Sequence, residues 1–343
     1  MRIDAASRIV VAGAGSIGCY VGGCLAQAGR KVTLLLRPAL ADAIGRRGVR
    51  ISDLEGRDWM LPPRALQLAT EPWAALESAQ IVLVTVKSGA TAAMADLIAT
   101  CAKARPAVVS LQNGVGNVDV LRGRLGADTV VVPGVVNFHV TQFDGADPPR
   151  FHRGIAGSIV IGSEEAGLSE TLSVPGLQFK TREDMPDVLW GKLLLNLNNA
   201  LNALSAVPLV TQLADRAWRR VLATQIDEAF AVLGAANIRP ARVEQVPPRL
   251  MPIILRLPDA VFRIVARRMM SIDPEARSSM WEDLQRRRVT EIDYLQGAIL
   301  ALADKAGVAA PMTRRITSLI KAAEQAGAGS PRLQASQIAH DVG

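Results

Sequence analysis

The chain has 343 residues, of which 49 % are apolar and 21 % charged, and a net charge of +7 at neutral pH. That length suggests two domains, and that composition excludes disorder as the main state. Aromatic residues are only 4 %, with three cysteines (Cys19, Cys24, Cys101) and three histidines (His139, His152, His340), so a base-stacking surface, a disulfide framework and a metal cluster are all poorly supplied.

The opening residues MRIDAAS lack the apolar run of a signal peptide, and no stretch reaches the ~18 apolar residues of a membrane span. A cytoplasmic protein without nucleic-acid or membrane partners is expected. Up to Asp184 there are 19 Lys+Arg against 17 Asp+Glu, and beyond it 20 against 15. A mild basic excess suits small anionic ligands.

Short β-branched runs alternate with helical stretches through the first half, the pattern of βαβ units and a parallel sheet. Strands are expected at Arg8–Ala12, Val32–Leu36, Ile81–Val86, Ala107–Leu111 and Thr129–Val132, with helices at Ser16–Gly29, Ala39–Arg47 and Ala90–Lys103. Late strands follow around Phe138–Thr141, Phe151–Ile161 and Leu177–Lys180. From Met185 onward only helical periodicity remains, interrupted at Pro208, Arg239–Arg249, Pro258, Pro274 and Pro311. The reading is an α/β domain over residues 1–184 and an all-helical domain over residues 185–343, ending in a frayed tail from Gln334.

In RIVVAGAGSIGCYVGG the loop Gly13-Ala14-Gly15-Ser16-Ile17-Gly18 lies between the first strand and the first helix. Gly13 allows the tight turn, Gly15 lets backbone approach a pyrophosphate, and Gly18 lets helix and sheet pack closely. The helix start then offers free N–H groups to phosphate. Where the second strand ends, an NAD site usually carries Asp or Glu; here Arg37 stands instead, suited to a ribose 2′-phosphate. Lys87, ending IVLVTVK, adds a second positive charge at the same sheet edge. The expected cofactor is NADPH/NADP+.

SLQNGVGN runs a strand into a turn and places Asn113 at the carboxyl edge of the sheet. In DVLWGKLLLNLNNALNALSAV, Lys192, Asn196 and Asn199 fall at i, i+4 and i+7, on one face of a helix. Asparagine is a poor helix former, so Asn196, Asn198, Asn199 and Asn202 amid leucines point to a polar wall. Further on, Ser279 and Glu291 stand twelve residues apart, and Glu291 heads an expected helix beside Ile292, Tyr294 and Leu295; Arg286–Arg288 reads as a solvated run.

These segments, in this order, resemble the ketopantoate reductase (2-dehydropantoate 2-reductase) family: GAGSIG, the strand ending in Lys87, QNG at Asn113, WGK with Asn196 four residues on, SSM, and TEIDYLQG. The resemblance implies a Rossmann-type domain binding NADPH and a helical domain closing over a 2-oxo acid. It implies Lys192 as general acid and Asn113, Asn196 and Ser279 around the substrate, with Glu291 near both the cofactor and the lysine. The family's second helix asparagine has Asn199 or Asn202 as its counterpart here. Where pantoate-specific members carry a further Asn, this chain reads Thr211-Gln212. The expected activity is NADPH-dependent reduction of a 2-oxo acid, first of all 2-dehydropantoate. The alternatives are a related dehydrogenase of another 2-oxo or hydroxy acid and a non-catalytic NADPH sensor. A homodimer is left open.

Overall fold

In the computed structural model the protein is described over residues 3–143, 145–243, 247–266 and 273–339. His340 and the last three residues lie outside these. The chain divides into two units, Met1–Met185 and Pro186–Gly343.

The first unit contains, in order, β1 (Arg8–Ala12), α1 (Ser16–Gln27), β2 (Lys31–Leu35), α2 (Pro38–Arg47), β3 (Val49–Asp53), β4 (Asp58–Leu61), β5 (Gln67–Ala69), α3 (Pro72–Leu76) and β6 (Ile81–Val84). It continues with α4 (Thr91–Cys101), β7 (Ala107–Ser110), α5 (Asn117–Leu125), β8 (Val131–Val136), β9 (Val140–Phe143), β10 (Arg150–Arg153), β11 (Ile159–Gly162), α6 (Leu168–Leu172) and β12 (Phe179–Arg182). Eight strands form one sheet in the order β12-β11-β8-β7-β6-β1-β2-β5. β8 and β11 run antiparallel, and the other pairings are parallel. Alternation along β1 sends Ile9 and Val11 to a core shared with α1, and Val10 and Ala12 to a second core with Met94, Ala95 and Ile98 of α4. Helices therefore cover both faces, and the central strands β1 and β6 are buried and apolar apart from the exposed Arg8, as a buried parallel sheet requires.

A second sheet, β4-β3-β10-β9, was not expected from the sequence. Its central pairing joins β3 to β10 in parallel, with Asp53 opposite Arg153. Nor does Phe151–Ile161 form one strand: Gly154 and Gly157 separate β10 from β11. A Cβ at Gly157 would lie 2.1 Å from the carbonyl oxygen of Asn137, so only glycine lets the two backbones pass. All three cysteines are buried in this unit.

The second unit is helical: α7 (Met185–Asn196), α8 (Asn198–Ser205), α9 (Leu209–Ala214), α10 (Arg216–Ala235), α11 (Met251–Arg256), α12 (Asp259–Val265), α13 (Ser279–Gln285), α14 (Gln296–Ala306), α15 (Pro311–Ala326) and α16 (Ala335–Ala339). The 20-residue α10 is capped by Asp215, whose carboxylate accepts from Ala217 N–H at 2.8 Å. Arg219, fully buried on α10, closes its neighbours' ends. It donates to the carbonyls of Leu213 and Ala214 at the end of α9, to those of Leu255 and Leu257 at the end of α11, and to Asp259 at the start of α12. Carbonyls that a helix C-terminus leaves unpaired are thereby satisfied. The expected frayed tail is ordered instead through Ala339. Leu333 N–H donates to Leu204 O at 2.9 Å, and Ala335 and Ile338 of α16 are buried. No described helix is long and apolar enough to cross a membrane.

Candidate active site

The glycine loop folds back onto the end of β2, with Gly13 and Ala14 N–H both donating to Leu35 O at 3.1 and 2.9 Å. Gly13 has φ +86°, and a Cβ there would strike Val86 at 2.1 Å; at Gly18 it would strike Thr85 at 2.6 Å and Val11 at 2.9 Å. Gly15 differs. It is exposed, and a Cβ there would meet nothing closer than Gly13 O at 4.0 Å. The space beside it is open to an incoming group, while α1 starts with no side-chain cap and no acidic residue in its first turn. These residues, with Ser16 and Ile17, fit a pyrophosphate taken at a helix N-terminus. Arg37 is exposed and stands immediately before α2, two residues past the end of the strand the loop touches. Lys87 is exposed too, immediately before the 3-10 turn Ser88–Ala90.

Asn113 is held by a polar scaffold that the motifs alone did not reveal. Its carbonyl accepts from Ser88 Oγ and from Asn117 Nδ2, both at 2.8 Å. Asn117 Oδ1 accepts from Thr91 Oγ1 at 2.8 Å, and Thr91 accepts from Gln112 Nε2 at 2.7 Å. Gln112 also donates to Val86 O. Two strand ends, β6 and β7, are thus locked together by buried side chains, and the half-buried Asn113 stands at their carboxyl edge. The signal was in the text: Ser88 and Thr91 follow Lys87, and Asn117 closes SLQNGVGN.

In the second unit Lys192 and Asn196 lie one turn apart on α7, Lys192 half-buried and Asn196 buried. The helix does not run on unbroken to Asn199 as expected. α7 ends at Asn196 and α8 starts at Asn198; the one residue between, Leu197, keeps helical dihedrals (φ −57°, ψ −30°), and its carbonyl also accepts from Gln296 Nε2 at 2.9 Å.

Asn202 also departs from expectation. It is fully buried, and every polar atom of its side chain is used within the unit. Its Nδ2 donates to Val207 O at 2.9 Å and Gln212 Oε1 at 3.1 Å, and its Oδ1 accepts from Ser278 N–H at 2.8 Å. Asn199, one turn earlier on α8, is half-buried. Ser278 then donates from Oγ to Asn199 O at 2.9 Å and caps α13 by accepting from Trp281 N–H. Ser279 is the first residue of that helix. Glu291 heads a 3-10 turn, Ile292–Tyr294, rather than a helix; α14 begins only at Gln296. Its carbonyl accepts from Tyr294 and Leu295 N–H, which fixes its backbone beside α14.

Comparison with known proteins matches these two units to one family. Residues 9–165 fit the description "Ketopantoate reductase PanE/ApbA" and residues 184–324 its C-terminal counterpart. A 2-dehydropantoate 2-reductase of Halobacterium salinarum is 28 % identical over 340 residues, covering 93 % of this chain and all of that protein. Among solved structures, a PanE/ApbA family ketopantoate reductase from Ralstonia eutropha JMP134 superposes with TM-score 0.77 at 29 % identity, over 93 % of this chain and 99 % of its own. A D-mandelate dehydrogenase structure with NADH and anilino(oxo)acetate shares the fold (TM-score 0.73, 22 % identity, 93 % and 99 % covered). With both of its parts matched in order along one sequence, the chain belongs to the ketopantoate reductase family.

Proposed function

We propose that this protein is an NADPH-dependent reductase of a 2-oxo acid, with 2-dehydropantoate as the first substrate to try and Lys192 as proton donor. The observation that carries the reading is the pair Lys192 and Asn196, one turn apart on a helix whose Leu193 and Leu194 are buried. A cation and an amide enclosed at that spacing suit a carbonyl on which negative charge develops. The nicotinamide, when bound, supplies hydride to the carbonyl carbon. Lys192 Nζ gives a proton to the carbonyl oxygen, a contribution of roughly 10²–10⁴-fold for a well-placed acid. Glu291 orients the ammonium and would contact the cofactor when it is bound. Asn196, Asn199, Asn113 and Ser279 hold the carboxylate and hydroxyl groups so that the carbonyl presents one face. The Gly13–Gly18 loop holds the pyrophosphate, and Arg37 with Lys87 pairs the 2′-phosphate.

Replacing Lys192 by Ala is expected to abolish turnover while NADPH affinity stays within a few-fold. A variant retaining kcat within a few-fold of the parent would overturn the proton-donor role.

A second reading, reduction of other branched 2-oxo acids, is favoured by Gln212. It stands where pantoate-specific members offer an amide, yet it is buried and accepts from Asn202. A site that does not read the substrate hydroxyl discriminates by about 10²-fold at most, whereas one that does reaches ~10⁴. The ratio of kcat/KM for ketopantoate and 2-oxoisovalerate decides between the two.

A further inference from the structure

We propose that Asn202 and Ser278, neither of which is open to substrate, are positioning residues that set Asn199 and Ser279 for 2-oxo acid binding. This rests on the reductase reading above. The geometry is a closed clasp between α8 and the start of α13. Asn202 Oδ1 accepts from Ser278 N–H at 2.8 Å, and Ser278 Oγ donates to Asn199 O at 2.9 Å, so two bonds of opposite direction tie one turn of α8 to one residue. The same Ser278 Oγ accepts from Trp281 N–H at 3.2 Å, which fixes where α13 begins and hence where Ser279, its first residue, stands.

The rest of the Asn202 amide braces the opposite side. Nδ2 holds Val207 O and Gln212 Oε1, and Leu209 N–H donates to Ala276 O at 2.9 Å, so the segments before α9 and before α13 run side by side. Asn202, Ser278 and Gln212 are all buried, whereas Asn199 and Ser279 are half-buried. The buried set has no surface to offer a ligand. Its partners do, and their spacing is dictated by it. Misplacement of a binding group by about 1 Å can cost ~10²-fold in rate, so a clasp of this kind should be read in substrate binding rather than in cofactor binding.

The test uses the full-length enzyme with three changes: Asn202→Ala, Ser278→Ala and Ser278→Thr. Ser278→Ala removes the cap and the Asn199 bond without opening the core, so it serves even where Asn202→Ala folds poorly. Ser278→Thr keeps a hydroxyl able to cap. KM for the 2-oxo acid is expected to rise about ten-fold or more in the two alanine variants, the equivalent of ~1.4 kcal/mol. KM for NADPH should stay within about two-fold, and the threonine variant should recover most of the loss. Hydrogen exchange at the Ser278 amide should accelerate in Asn202→Ala while the middle of α10 stays protected. Equal rises in KM for both substrates, or no rise in either, would overturn the positioning role. If the unmodified enzyme reduces no 2-oxo acid, the reductase reading fails by itself, and unchanged exchange at Ser278 in Asn202→Ala would separately refute the clasp.

Discussion

The side-chain amide of Gln296 donates to the carbonyl of Leu197 at 2.9 Å, at the residue where α7 gives way to α8. Gln296 is fully buried, and its Oε1 is enclosed without a hydrogen-bond partner. A donor that satisfies a helix carbonyl is offset here by an acceptor that nothing satisfies. Gln296→Met, which removes both and keeps the volume, should therefore cost no more than about 1 kcal/mol, whereas Gln296→Ala adds a cavity and should cost roughly 2–4 kcal/mol. Urea denaturation of the two variants checks the order; equal losses would refute it.

Cofactor preference rests on Arg37. Loss of a charge-assisted contact to phosphate is worth ~1.5–3 kcal/mol, or about 10–150-fold in affinity. Arg37→Ala should weaken NADPH binding by that factor and leave NADH almost unchanged. Titration of both cofactors against both proteins measures it, and equal affinity of the parent for NADPH and NADH would sink the preference.

Arg219 tests what a guanidinium does that an ammonium cannot. Its donors reach four carbonyls and Asp259, and it lies over the Phe262 ring at 4.1 Å. A lysine has at most three donors and no planar fork. Arg219→Lys is expected to destabilise by about 3 kcal/mol. Asp259 is 56 % exposed at its side chain, so Asp259→Asn should cost under ~1 kcal/mol. A lysine variant as stable as the parent would show that the carbonyls find other donors.

Acid should act through Asp53. Burial works against its carboxylate, but hydrogen bonds from Arg57 and the charge of Arg153 prevail, so its pKa is held below the usual carboxylate value. With the folded pKa depressed, its stabilisation is complete above the unfolded value of ~3.9 and is lost as pH falls through the folded one. Asp53→Asn should therefore destabilise by about 3 kcal/mol at neutral pH, and the gap to the parent should narrow below pH ~4. A gap independent of pH would mean that the charge contributes nothing.

The legible parts of this protein are those written in local pattern. The β1–α1 turn was readable because the glycines that Val86, Thr85 and Val11 demand at positions 13 and 18 stand together between one strand and one helix. Lys192 and Asn196 were readable because polar side chains one turn apart interrupt a leucine helix. The second sheet was not, because β3 and β10 are a hundred residues apart and their pairing leaves no periodic trace in either. The same holds for the bond from Gln296 to the Leu197 carbonyl, made across ninety-nine residues. Asn202 shows the limit most plainly. Its residue type signals a polar role, but only the fold tells that its amide faces Ser278 rather than a ligand.

The burial of Cys19, Cys24 and Cys101 makes this a protein without native thiol chemistry at its surface. Burial raises the Cys19 thiol well above its ordinary value and pushes Cys24 up to about 12. Since the thiolate is the reacting form, alkylating dyes should leave the folded wild-type chain unlabelled. A cysteine introduced at exposed Leu54 in the first unit and another at exposed Ile264 in the second would then be the sole attachment points, with no native residue to remove beforehand. A fluorophore pair so attached would read the distance between the two labels with and without added nicotinamide cofactor.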